Sequence, residues 1–299
     1  MKKLLALTLA LLLLCSPALA GAETVVTSFY PIHLFARNLL DGVPGVELAS
    51  LAEPGAGCLH DYQLQTGDMK TLARADVFLI NGAGMESYLD GVFSAFPALP
   101  VVDASQGVTL LEDCSDHGHD HEHAHEHAYN AHIWLDAENA IRMVNNLAEG
   151  LMAAMPAHAE AIAANRDAYC SRLTALDTEL TAALEAVSHK DIITFHEAFP
   201  YFANAYGLNV AAVINRDPDD ALSPRTLAEL CKTVSSLGAP PLFVEPQYED
   251  KAARTIARET GASIHTLDPI VTGPQDAPLS YYEDVMRLNL TVLLSALGQ

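Results

Sequence analysis

Positive charge is what this chain most lacks. Sixteen Lys and Arg residues stand against 38 Asp and Glu, giving a formal net charge of −22 and a pI near 4.7. Such a surface repels phosphate backbones and anionic headgroups, so a nucleic-acid partner is not expected. Cysteine is also scarce, with five in 299 residues and no C-x-x-C pair, which argues against a cysteine-built zinc site or thioredoxin-type chemistry. Enzymatic signatures are missing too. "HEAFP" at His196 begins like the H-E-x-x-H helix of metalloproteases, but Pro200 stands where the second histidine must fall. No G-x-S-x-G or Ser-His-Asp pattern replaces it, and no enzyme activity is expected.

Residues 1–20 read as an export signal. Lys2 and Lys3 precede the apolar run Leu4–Leu14, and Ala18-Leu19-Ala20 supplies a small-x-small cleavage site before Gly21. The run is shorter than the roughly 20 residues a membrane span needs. A lipid anchor on Cys15 is the alternative, disfavoured because Leu14 precedes it where such signals want a small residue. The destination is therefore periplasmic or otherwise extracytoplasmic. There Cys58, Cys114, Cys170 and Cys231 remain, an even number in an oxidising compartment, and one or two disulfides are expected with the connectivity open.

After the signal, short apolar runs alternate with helical patterns, among them a helix around "MESYLDGVFSAF", which predicts α/β architecture with mostly parallel sheets. The length suits two Rossmann-like lobes with a cleft between them, about 21–135 and 188–299. Between them, Asp136 is placed to cap a helix that Pro156 interrupts. The helical pattern then resumes with Ile162, Tyr169, Leu173, Leu176, Leu180, Leu184 and Val187 on one face. About thirty residues at 1.5 Å rise make a rod of roughly 45 Å, which suits a strut linking the lobes over 136–187.

Histidine is plentiful where cysteine is not. "DHGHDHEHAHEHAYNAHIWLD", residues 116–136, lies in a loop of the first lobe spanning about 113–131. His117, His119, His121, His123, His125 and His127 alternate with polar residues and leave no apolar stripe to bury, so the tract is expected to work in water. Elsewhere, ligands of open α/β sheets gather beyond the carboxyl ends of strands. Those ends offer His60 after "VELASL", His196 after "DIITF" and Asp268 after "ASIHTL", with His132 at the mouth of the linking helix. Three imidazoles and a carboxylate suit a four-coordinate divalent ion, zinc above all. Each residue alone has an ordinary alternative: a helix cap or a satisfied polar group for the histidines, a turn for Asp268 before Pro269. His33 reads as packing, and His158, His189 and His265 as surface or structural residues.

Taken together, "CLHDYQL", "AHIWLD", "FHEAFPYFANAYGL" and "TLDPI", with "TSFYPIH" and "FVEPQY", resemble in order and spacing the metal-binding segments of the cluster A-I (ZnuA-like) solute-binding proteins. The resemblance runs over essentially the whole chain after the signal. It implies two α/β lobes joined by one rigid helix and a monomer that captures zinc or manganese for an ABC import permease. His60, His132 and His196 would be nitrogen ligands, with Asp268 as fourth ligand or close neighbour. Manganese-binding relatives typically carry glutamate where this chain has His196, so the likeness favours Zn2+. The tract is similar to a loop of zinc-binding members and is expected to bind several ions weakly. A manganese-binding protein or a metal-buffering adhesin of the same fold is the alternative.

Overall fold

The computed structural model describes residues 22–59, 62–112, 129–214, 223–248 and 250–298. The first sheet is built from β1 (Glu23–Thr27), β2 (Val46–Ser50), β3 (Val77–Ile80) and β4 (Val101–Asp103), with α1 (Tyr30–Leu39), α2 (Thr66–Leu72) and α3 (Leu89–Ala95) as crossovers. Its order is β2-β1-β3-β4, all parallel, with Val25 facing both Leu48 and Val77. Central strands of parallel sheets are covered on both faces, which is why β3 reads "VFLI" without a polar residue and is buried throughout.

Two helices follow. α4 (Ala137–Ala154) starts where Asp136 accepts hydrogen bonds from the backbone N–H groups of Glu138 and Asn139, and a short 3-10 turn at Pro156–His158 separates it from α5 (Ala159–Glu185). The apolar face of α5 is the one its periodicity predicts: Ile162, Tyr169, Leu173, Leu176, Leu180 and Leu184 are all buried. α4 lies so close over β4 that a Cβ on Gly150 would stand 2.4 Å from a Val102 methyl.

The second sheet repeats the first in topology. β5 (Asp191–Thr194), α6 (Pro200–Tyr206), β6 (Asn209–Val213), α7 (Pro224–Ser236), β7 (Leu242–Val244), α8 (Lys251–Thr260), β8 (Ile264–Thr266) and α9 (Tyr281–Leu297) give the parallel order β6-β5-β7-β8. Ser223 caps α7 by accepting from Thr226 N–H, and α8 stops at Gly261, whose φ of 80° suits a residue without a Cβ. α5 packs on α1 and α4 and also on α6 and α9, so one apolar cluster runs from the first sheet's helices to the second's.

The expected cysteine pairing needs correction. Cys58, Cys170 and Cys231 are all free thiols, and Cys114 lies outside the described residues. Two disulfides among four cysteines would require a bond between two of the described three, and there is none. Cys170 sits in α5, Cys231 in α7 and Cys58 in the loop after β2, so each is held by a different element.

Candidate metal centre

In each sheet the strand order reverses beside its first strand, and the crevice at that switch point is where α/β sheets hold ligands. In the second sheet the reversal lies between β5 and β7. His196 follows β5 by two residues and Glu245 follows β7 directly. In the first sheet it lies between β1 and β3, and Asn81 follows β3. Asn81 donates from Nδ2 to the carbonyl of Ala131 at 3.0 Å, which fixes the backbone next to His132. Both switch points therefore converge on one histidine.

His132 is fully buried and His196 is 5% exposed, and their Nε2 atoms stand 3.2 Å apart. The orientation of His132 follows from its neighbour. Asn130 donates from Nδ2 to the Glu197 carbonyl at 2.8 Å and accepts at Oδ1 from the His132 backbone N–H at 3.0 Å, which settles which end of its amide is oxygen. That oxygen also lies 3.2 Å from His132 Nδ1, so Nδ1 must carry the proton. Nε2 is then left with its lone pair, the tautomer a metal ligand needs. The ring is wedged against Trp134, with centroids 5.2 Å apart, and the indole N–H is tied to the Pro269 carbonyl at 2.8 Å.

A third donor joins the two imidazoles. Cys58 Sγ lies 3.4 Å from His132 Nε2 and 3.7 Å from His196 Nε2. Among the described residues, Cys58, His132 and His196 form a group whose donor atoms all fall within 4.8 Å of one another. The sequence reading missed Cys58 as a donor. The available signal was its place two residues before His60 in "CLHDY", outweighed by the expectation of a disulfide.

Asp268 sits beyond β8, as its position after "ASIHTL" predicts, but is not a member of that group. Its Oδ1 accepts the Ile270 N–H at 2.7 Å, the turn-forming role weighed as its alternative. Its backbone N–H and carbonyl are both bonded to the Asn289 side chain of α9. Burial pushes its carboxyl above the ordinary value. Beside it, Glu245 is 3% exposed, and burial pushes its carboxyl up to about 8; a hydrogen bond from Gln247 opposes the rise and the charge of Asp268 adds to it. Burial likewise raises the Cys58 thiol, with the charges of Glu245 and Glu197 acting in the same direction.

His60 and the six tract histidines, His117, His119, His121, His123, His125 and His127, lie outside the described residues. The stem of the tract is defined, however. Glu112 bridges Tyr129, and Tyr201 ties the two sides together by accepting from Leu111 N–H and donating to the Asn130 carbonyl, each at 2.9 Å. Of the other four histidines, His189 is exposed and the remaining three have structural contacts. His33 faces Thr27 from α1, and burial pushes it down to about 4; His158 pairs with Glu23, and His265 packs on Phe243.

Comparison with known proteins points the same way. The chain is 32% identical over 310 residues to the high-affinity zinc uptake system protein ZnuA of Brucella abortus, covering 92% of each. It is 31% identical over 291 residues to the zinc-binding protein AdcA of Streptococcus pyogenes, covering 91% of this chain and 56% of that one, so it spans about half the length of the streptococcal relative. Among solved structures it superposes on the solute-binding protein FpvC of Pseudomonas aeruginosa in complex with Mn2+ with a TM-score of 0.80 at 26% identity, covering 93% of this chain and 99% of that one. The family model described as "Zinc-uptake complex component A periplasmic" matches residues 25–296, and the chain belongs to that family.

Proposed function

We propose that this protein is a zinc receptor that captures Zn2+ outside the cytoplasmic membrane and delivers it to an ABC import permease, without catalysing a reaction. The observation that carries the reading is the buried pair of imidazoles with Nε2 atoms 3.2 Å apart and one tautomer fixed for coordination. His60, His132 and His196 are proposed as nitrogen ligands, with Asp268 as fourth ligand or close neighbour. Residues 136–187 are proposed as the joint between lobes 21–135 and 188–299, and the protein as a monomer. Neutral imidazoles coordinate at pH 7 and lose the ion to protons as pH falls. The histidine tract is proposed to gather further ions weakly.

The likeness to a Mn2+-bound receptor supports a second reading, manganese or another divalent ion as cargo. Nitrogen at His196 argues against it, since imidazole suits zinc better than manganese. Competitive metal titration of the purified chain tests both. The wild type should take up one zinc tightly and others weakly, and removal of residues 116–127 should abolish only the weak uptake. His132→Ala should weaken the tight site by more than the roughly 100-fold that loss of an outer partner costs. His196→Glu should shift preference toward manganese. An unchanged tight site in His132→Ala would refute the proposed centre.

A further inference from the structure

We infer that Cys58 is itself a metal ligand, its sulfur occupying one corner of the coordination sphere beside His132 and His196. This rests on the receptor reading above and deepens it, since that reading drew only on nitrogen and oxygen donors.

The argument is geometric. Zinc bonds of about 2.0–2.1 Å to nitrogen and about 2.3 Å to sulfur, set at tetrahedral angles, give edges of about 3.3–3.4 Å between two nitrogens and about 3.5–3.6 Å between nitrogen and sulfur. The three separations here are 3.2 Å between the nitrogens and 3.4 and 3.7 Å from each nitrogen to the sulfur. All three edges match one face of that tetrahedron to within a few tenths of an ångström. Three corners are thus accounted for, and one is left for a single further donor.

The sulfur is also held in place. Leu59, the next residue, is fully buried in the core that contains Trp134 and Phe199, so the loop after β2 is anchored where Cys58 turns toward the rings. Cys58 comes from the first sheet's side and His196 from the second's, so the ion would bind the two halves to each other as well as to itself. Coordination forms a sulfur–metal bond and breaks the S–H bond. The thiolate donates the electron pair, the proton leaves to solvent, and no oxidant or reductant is involved. A dication beside the sulfur favours its thiolate form. A thiolate also makes the donor set softer than three imidazoles do, which favours zinc further over manganese.

Cobalt(II) reports the ligand set directly. Titrated into the reduced, metal-free full chain, Co2+ should give intense visible d–d bands of a tetrahedral site and a near-ultraviolet sulfur-to-cobalt charge-transfer band. Cys58→Ser should lose the charge-transfer band while Cys114→Ser, the control for a thiol beside the histidine tract, keeps it. X-ray absorption of the zinc-loaded wild type should show a sulfur shell at about 2.3 Å. That measurement decides the matter even if Cys58→Ser does not fold. A tightly bound ion with neither sulfur shell nor charge-transfer band would overturn the role of Cys58 and leave the receptor reading standing. Loss of the band in Cys114→Ser alone would also overturn it. Absence of any tightly bound ion would remove both.

Discussion

Asn130 is the residue on which the geometry of the centre turns. Its side chain bonds the Glu197 carbonyl on one side and the backbone N–H and ring of His132 on the other, so one amide fixes the tautomer of one proposed ligand and the approach of the segment carrying another. Replacing Asn130 by Ala leaves every proposed ligand in place but frees the His132 ring to rotate and to exchange tautomers. Loss of such an outer partner costs about 10–100-fold in metal affinity, and the same is expected here, read by competitive zinc titration. An unchanged affinity would mean that packing on Trp134 alone holds the ring. Neither this contact nor the place of Cys58 beside the rings was legible in the sequence. His132 and His196 were singled out as candidate ligands because their type and their places beyond strands or at a helix mouth are local signals, and the structure brings these two rings together. Asn130 and Cys58 acquire their roles only from partners 67 and 74 residues away, which no local pattern encodes.

At the level of elements, the strands and helices were legible because each carries its own periodicity, cap and breaker. The stripe of α5, the Asp136 and Ser223 caps and the Gly261 stop are all local signals. α3 is the instructive exception, since a helix is expected around "MESYLDGVFSAF" but the helix spans only Leu89–Ala95. The reason is Glu86. Instead of extending the helix, its carboxylate turns back and accepts the backbone N–H groups of Asn81 at 2.7 Å and Gly82 at 3.0 Å, closing the loop after β3. Burial raises that carboxyl from the ordinary 4.5 to about 7, against the lowering effect of these hydrogen bonds. Because the folded value lies above the unfolded one, its contribution to stability is fully present below 4.5 and is lost as pH rises through about 7. A shift of this size corresponds to about 3 kcal/mol. Urea unfolding of metal-free wild type and Glu86→Gln should therefore diverge between about pH 5 and pH 8, with the wild type losing more stability as pH rises. Parallel pH profiles for the two chains would show that Glu86 does not titrate in that window.

Across the whole molecule, the repeated strand order gives two similar halves, yet the core does not divide between them. The buried cluster running through α1, α4, α5, α6 and α9 is continuous. Polar bonds cross the same boundary: Tyr282 donates to the Trp134 carbonyl at 2.6 Å, Trp134 to Pro269 at 2.8 Å, and Tyr30 to Pro274 at 2.9 Å. Arg172 of α5 joins both sides, with its Nε on Glu283 of α9 at 2.8 Å and a hydrogen bond to Asn38 of α1. A hinge opening would break these contacts together, each bond worth about 0.5–1.5 kcal/mol in addition to the apolar surface exposed. A few metal–ligand contacts would have to outweigh all of these bonds and the apolar contacts to drive such a motion. Small-angle scattering of the chain lacking residues 116–127, so that metal uptake by the tract does not enter, should give the same radius of gyration with and without zinc. Zinc should instead raise the unfolding temperature, since it binds the folded state and joins segments from both halves. A clear expansion on metal removal would mean that the shared core yields, and release to a permease would then work by domain opening. If the two radii agree, the proposed release would require the permease to disturb the side chains at the centre itself.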